Sequence, residues 1–199
     1  MPRSRRPSAP APSGTITLHG VFMRVDGLGV LLTGASGVGK SELALELLNR
    51  GHRLVADDAA DFALSAAGRI LGHCPPLLKG FLEARSLGIL NVRRLYGARA
   101  IAAPTPLDLV ITLDAPGPSP DVGLERLTGR RSERELLGKR IPEISIPIRL
   151  GHNLAVLVEA ACRDLKLRRR GYRADEDLSH RQLAAIHRST RPSRRPARS

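Results

Sequence analysis

The chain has 199 residues, 42% of them hydrophobic and 3% aromatic, and a formal net charge of +13. That length suits one domain with an ample core, and no apolar run approaches the roughly eighteen residues that a membrane crossing requires. The charge sits mostly in two tails: residues 1–14 hold Arg3, Arg5 and Arg6, residues 188–199 hold Arg188, Arg191, Arg194, Arg195 and Arg198, and neither has an acidic residue. Their Arg/Pro/Ser composition predicts disorder. The remaining core is only mildly basic, so specific nucleic-acid binding is not expected; weak contact of the tails with polyanions is the alternative. Cys74 and Cys162 are an isolated pair without C-x-x-C spacing, which points to neither a disulfide framework nor a zinc site. The N-terminal arginines lack a following apolar stretch, so no signal peptide is expected and a cytoplasmic protein is.

In chain order, residues 15–25 read as a strand, bulged at Gly20 where the alternation slips. Asp26-Gly27 is a hairpin turn signal. The short apolar run Gly29 to Thr33 then reads as a buried strand, and Glu42 to Arg50 is rich in strong helix formers, with Gly51 suited to the helix C-terminus. Between them, Gly34-Ala35-Ser36-Gly37-Val38-Gly39-Lys40-Ser41 fits G-x-x-x-x-G-K-[ST]. Strand, glycine loop and helix aim backbone N–H groups and the positive helix end at one anion. All eight residues are therefore candidates to cradle the phosphates of a nucleotide, with Lys40 on the β/γ-phosphates and the Ser41 hydroxyl on Mg²⁺. A plain Gly/Ser turn before a helix is the structural alternative.

Arg53 to Ala56 reads as the next strand, ending in Asp57-Asp58. From Lys40 to Arg50 a helix climbs about 16 Å, and five strand residues return about 17 Å. If that strand runs parallel to its predecessor, as βαβ crossovers do, both carboxylates come back to the phosphate level. Strand side chains alternate, so one Asp faces the nucleotide unless the strand has already ended. The N-terminal hairpin brings His19 into the same neighbourhood. Asp61–Ser65 and Arg69–His73 suggest a small hairpin, and Pro75-Pro76 a break. Phe81 to Gly97 reads as a loop leading into a short helix, Leu107 to Leu113 as a central strand, and residues 122–140 as partly helical. Ile144 to Arg149 is a strand whose proline favours an edge or a terminus. A helix from Asn153 places Leu154, Leu157, Val158, Ala161 and Leu165 at core spacing, and residues 175–187 form a weaker one. The total is an α/β protein, a P-loop nucleotide-binding core with a mixed β-sheet flanked by helices. It divides into a basic tail (1–14), a catalytic domain (15–173) and a C-terminal helix with a basic tail (174–199).

The loop alone fits an ATPase, a GTPase or a small-molecule kinase. Further segments resemble the HPr kinase/phosphorylase family in order and spacing: Thr17-Leu18-His19-Gly20-Val21, Gly34 to Glu42, Arg50 to Asp58, Leu82-Glu83-Ala84-Arg85-Ser86-Leu87-Gly88-Ile89-Leu90-Asn91-Val92, Glu125-Arg126-Leu127 and Ile146 to Ala155. The resemblance covers about residues 15–173, and the segment from Leu82 is more specific than the loop. It implies an ATP- and Mg²⁺-dependent kinase that phosphorylates a serine of the HPr carrier, or a paralogue, of a bacterial phosphotransferase system. It also implies reverse phosphorolysis giving pyrophosphate, and a homo-oligomer, typically a hexamer. With only a short tail before Thr15, the N-terminal domain carried by many members is expected to be missing.

Carried over residue by residue, the resemblance makes Asp58 the acid/base and His19, Lys40 and Arg126 catalytic. Ser41 and Glu83 become metal-linked, residues 82–91 important for catalysis and 147–152 for dephosphorylation. Asp57 is the weaker carboxylate, orienting Mg²⁺ through water. Two departures stand out. Ser86 replaces the family's usual glycine and His152 its usual arginine, so reversal rests on less than the forward reaction. A small-molecule kinase, and a regulator that senses ATP without catalysis, are the other readings of the same loop.

Overall fold

Two apolar runs set the centre of the molecule, β3 (Leu28–Gly34) and β9 (Thr105–Asp114), which pair in parallel from Gly29↔Leu107 to Gly34↔Leu113. Val30, Leu31, Leu32, Leu109, Val110 and Ile111 are all fully buried, as expected of strands covered on both faces. The computed structural model describes residues 14–115, 128–149 and 151–189. Residues 1–13 and 190–199 and Arg126 therefore lie outside the described residues.

The chain enters through β1 (Ile16–His19) and β2 (Val21–Val25), separated at Gly20, so the expected bulge is a break between two strands. A two-residue turn at Asp26-Gly27, both with positive φ, joins β2 to β3 in antiparallel register, as the Asp-Gly pair predicts. After α1 (Lys40–Asn49) comes β4 (Arg53–Ala56), which pairs antiparallel with β2, not with β3. β2 is antiparallel to both neighbours, so β3 and β4 still point the same way. The expected direction holds, while the expected adjacency gives way to an inserted strand.

β5 (Ala59–Leu64) and β6 (Ile70–His73) form the predicted hairpin, with β1 on its outer edge. β9 is ten residues long and divides its second edge. Its start pairs with β6 and its end with β11 (Lys139–Pro147), which carries β10 (Arg131–Leu136) beyond it. Residues 131–136 are thus a strand within the segment 122–140 that is expected to be partly helical, of which residues 122–127 lie outside the described residues. Arg, Glu and Leu favour helices locally, but pairing with β11 wins, and charges suit a sheet edge. Pro147 ends β11, in line with the terminal placement expected of it. A second small sheet pairs β7 (Phe81–Ala84) with β8 (Gly88–Asn91), ahead of α2 (Val92–Tyr96). These four-residue strands are too short to show a period, which is why the segment reads as a loop.

Side-chain alternation sorts the core into two halves. Leu32, Leu109, Ile111 and Leu113 pack with Leu43, Ala44 and Leu47 of α1 and with Ala155, Val158, Cys162 and Leu165 of α3 (Leu154–Arg169). On the other face, Leu31, Leu107 and Val110 meet Phe22, Phe62 and Ile70, the two rings edge-to-face at 5.1 Å. In α3 the buried stripe runs through Ala155 and Cys162, while Leu157 is 38% exposed. Asn153 caps this helix, accepting from the Val156 N–H at 3.0 Å. α4 (Ala174–Ser189) follows. Among the described residues no helix is long and apolar enough to cross a membrane.

Candidate active site

The C-terminal ends of β3 and β4 and the start of β2 open onto a cleft of about 410 Å³. β3 hands the chain to the loop at Gly34, whose φ is 137° and where a Cβ would lie 2.5 Å from the Leu113 carbonyl oxygen. Only glycine lets the chain leave β3 so close to β9. Gly34, Ser36, Gly37, Gly39, Lys40 and Ser41 line the cleft; Val38 turns into the core. Ala35 contributes its carbonyl, which with that of Gly34 accepts from the Lys40 ammonium at 2.9 and 3.0 Å. The helix that follows has no side-chain cap at Gly39, so its first N–H groups remain available to an anion.

β4 has ended by Asp57, and both aspartates reach the cleft. Asp58 is exposed and adopts φ 63°, a left-handed conformation that costs a non-glycine residue about 1 kcal/mol. Its carbonyl is held by the Gly20 N–H at 3.1 Å and by His19 Nδ1 at 3.2 Å. The register His19↔Ala59 between β1 and β5 sets that contact. Since a carbonyl only accepts, His19 carries its hydrogen on Nδ1, which leaves Nε2 of the neutral ring as an acceptor. His19 therefore lines the cleft beside Asp58 and fixes its strained backbone.

Asp57 is buried, with 6% exposure, and its Oδ2 accepts the Glu83 N–H at 2.7 Å. Burial raises the Asp57 carboxyl above its ordinary range, against the opposing pull of the Glu83 and Asp58 N–H donors. The bond ties the β7–β8 hairpin to the end of β4 and places Glu83 in the same cleft as Ser41. The hairpin also delivers Arg85, which the sequence reading missed as an individual residue. Its guanidinium donates to Ser36 Oγ at 3.2 Å, and a Cβ on Gly37 would come within 2.5 Å of it. The available signal was its place three residues before the turn-closing Gly88. Ser86 lies in that turn outside the left-handed region, so this position does not demand the family's usual glycine. His152 is exposed and is not among the residues lining the cleft.

The charged groups facing the cleft are Lys40 and Arg85 against Glu42, Asp57, Asp58 and Glu83, with His19 beside them. An excess of carboxylates repels a polyphosphate unless a divalent cation enters with it. Among the described residues no three His, Cys, Asp or Glu side chains form a protein-only metal cage. A donor set of one hydroxyl and one carboxylate, Ser41 and Glu83, suits a cation that draws its remaining ligands from phosphate and water, as Mg²⁺ does.

Residues 12–182 match the family described as HPr Serine kinase C-terminal domain. The HPr kinase/phosphorylase of Bordetella petrii is 46% identical over 177 residues, 89% of this chain and 57% of that protein. That of Xanthomonas campestris pv. campestris (strain B100) is 51% identical over 158 residues, 78% of this chain and 50% of its own length. The chain thus spans about half the length of these curated relatives. The structure of the Hpr(Ser) kinase/phosphatase from Coxiella burnetii superposes with a TM-score of 0.74 at 35% identity, covering 83% of this chain and 97% of that one. The chain belongs to the family of HPr serine kinase C-terminal domains.

Proposed function

We propose that this domain transfers the terminal phosphoryl group of ATP to a serine of an HPr-type carrier protein. The observation that carries the proposal is the delivery of Asp58, in a strained and pinned conformation, to the cleft of the phosphate loop. Strain held in place by neighbouring contacts is characteristic of functional positions. Asp58 takes the proton of the serine hydroxyl as its oxygen bonds to phosphorus and the bond to ADP breaks. Lys40 and Arg85 offset charge on the phosphate oxygens. Ser41 and Glu83 would hold Mg²⁺, which would neutralise phosphate charge. In reversal, inorganic phosphate attacks the phosphoserine, protonated Asp58 returns the proton to the departing serine oxygen, and pyrophosphate is released.

The proposal includes assembly of several copies, read by sedimentation. It also gives Arg126, outside the described residues, a share of the transition-state charge. The test is to incubate the purified chain with ATP and Mg²⁺ and a panel of HPr-type carriers, and to look for phosphoserine by mass spectrometry. Labelling that disappears with Asp58→Asn is expected. Carriers left unlabelled while ATP is consumed with a metabolite would mean a small-molecule kinase. Nucleotide binding without turnover would mean an ATP sensor.

A further inference from the structure

The far ends of β2 and β4 carry a feature that the phosphoryl-transfer cleft does not use. Arg24 and Arg53 are direct cross-strand partners in the β2–β4 pair. Like charges directly opposite each other in an antiparallel pair are destabilising, and a nearby carboxylate usually relieves them. None does here: among the described residues neither side chain forms an ion pair or hydrogen bond, and the local acids are already engaged. Asp26 is held by Arg163 at 3.0 Å, and Glu159 by His52 at 2.9 Å and Arg50 at 3.5 Å. Glu46 is held by Arg50 at 2.9 Å.

The two guanidinium groups also share a concavity. With Asp26, Gly27, Gly51 and His52 they line a pocket of about 280 Å³ at the end of α1 opposite the phosphate loop. A surface on which two arginines merely meet solvent needs neither the opposed register nor the hollow. Two arginines opposed in register and lining one hollow, with exposed glycine backbone beside them, can meet the oxygens of a phosphate, which each guanidinium can hold by paired hydrogen bonds. At about 280 Å³ the hollow suits a small molecule. We propose that Arg24 and Arg53 form a second anion site, separate from the phosphate loop, that takes the phosphoryl group of a small molecule. The site and the cleft share β2 and β4: Gly20 and Asp58, bonded to each other at one end, flank the same two strands that the anion would bridge at the other.

The experiment is a thermal titration of the full chain carrying Lys40→Ala, which weakens phosphate binding at the loop. Inorganic phosphate is the probe, and sodium chloride at matched ionic strength is the reference. At ten times its dissociation constant, phosphate should raise Tm by about 4 °C, and adding Arg24→Gln or Arg53→Gln should abolish the rise. In phosphate-free buffer of low salt, those same substitutions should leave Tm equal or higher, because a repulsion has gone. A phosphate-dependent rise that survives both substitutions, or no rise in Lys40→Ala, overturns the proposal. Should Lys40→Ala fail to fold, calorimetry on the otherwise unaltered chain decides. Two classes of phosphate site, one lost with Arg24→Gln, support the proposal. A single class unchanged by that substitution overturns it.

Discussion

Two groups of acids near opposite ends of the central strands meet the problem of charge in different ways. At the N-terminal ends, the buried carboxylate of Asp108 receives Arg169 at 2.9 Å, Arg69 at 3.4 Å and the Gly29 N–H at 3.0 Å. Asp26 in the adjoining turn holds Arg163 and, through its carbonyl, Lys166. At the C-terminal ends the Asp58 and Glu83 side chains have no such partner among the described residues, Lys40 bonds only to loop carbonyls, and Asp58 sits at φ 63°. A fold that compensates charge at one end could do so at the other. Unpaired acids and a strained backbone beside a phosphate loop are what the proposed phosphoryl transfer calls for. The Arg24–Arg53 pair is the exception at the quiet end, and for the same reason it is the place to look for a ligand.

The contrast can be broken most sharply at Asp58. Asp58→Asn should lower the rate of phosphoryl transfer by about a thousandfold, while nucleotide affinity, read by fluorescence titration, stays within about twofold. Equal losses of rate and affinity would make Asp58 a binding group. Asp108→Ala should do the reverse. Freeing two arginines and one N–H should cost about 2 kcal/mol of stability in urea unfolding, with kcat per folded molecule unchanged. Arg85→Ala should lower kcat/KM for ATP by about tenfold to a hundredfold, with Arg85→Lys restoring part of it; a change in Tm alone would reduce Arg85 to a packing contact on Gly37.

The smallest effect concerns Asp57. Folding raises its pKa, so the folded state holds the proton more tightly and ionisation costs stability as pH rises above the ordinary value of 3.8. That cost is complete at neutral pH. Asp57→Asn keeps an acceptor for the Glu83 N–H and removes the buried charge. Its Tm should exceed that of the wild type at pH 7, with the gap closing toward pH 4, as thermal melts across that range would show. A gap that widens on acidification would reverse the assignment.

Much of the cleft was legible because its components are local. The Gly34–Ser41 pattern, the Asp26-Gly27 turn and the helix from Lys40 each depend on a few consecutive residues. The distance argument that returned Asp57-Asp58 to the loop used only the rises of a helix and a strand. The N-terminal hairpin brought His19 near the site, while Glu83 was legible through family resemblance alone, since a loop carboxylate carries no local signal. Arg85 was missed because its importance lies in a contact with Gly37, 48 positions away. β10 was not singled out as a strand because its charged residues carry a helix-like local preference that strand pairing overrides.

By itself, the sequence determined the phosphate loop, its strand–loop–helix setting, the turn before it and the order of the acidic segments around it. All of these follow from glycine conformation, hydrophobic period and turn chemistry over short spans. Only the tertiary structure decided that β2 lies between β3 and β4, that Asp57 ties the β7–β8 hairpin to the site, and that Arg24 stands opposite Arg53. Those outcomes depend on which strands pair and which faces are buried. That choice is made by contacts between residues far apart in the chain, where local preference has no say.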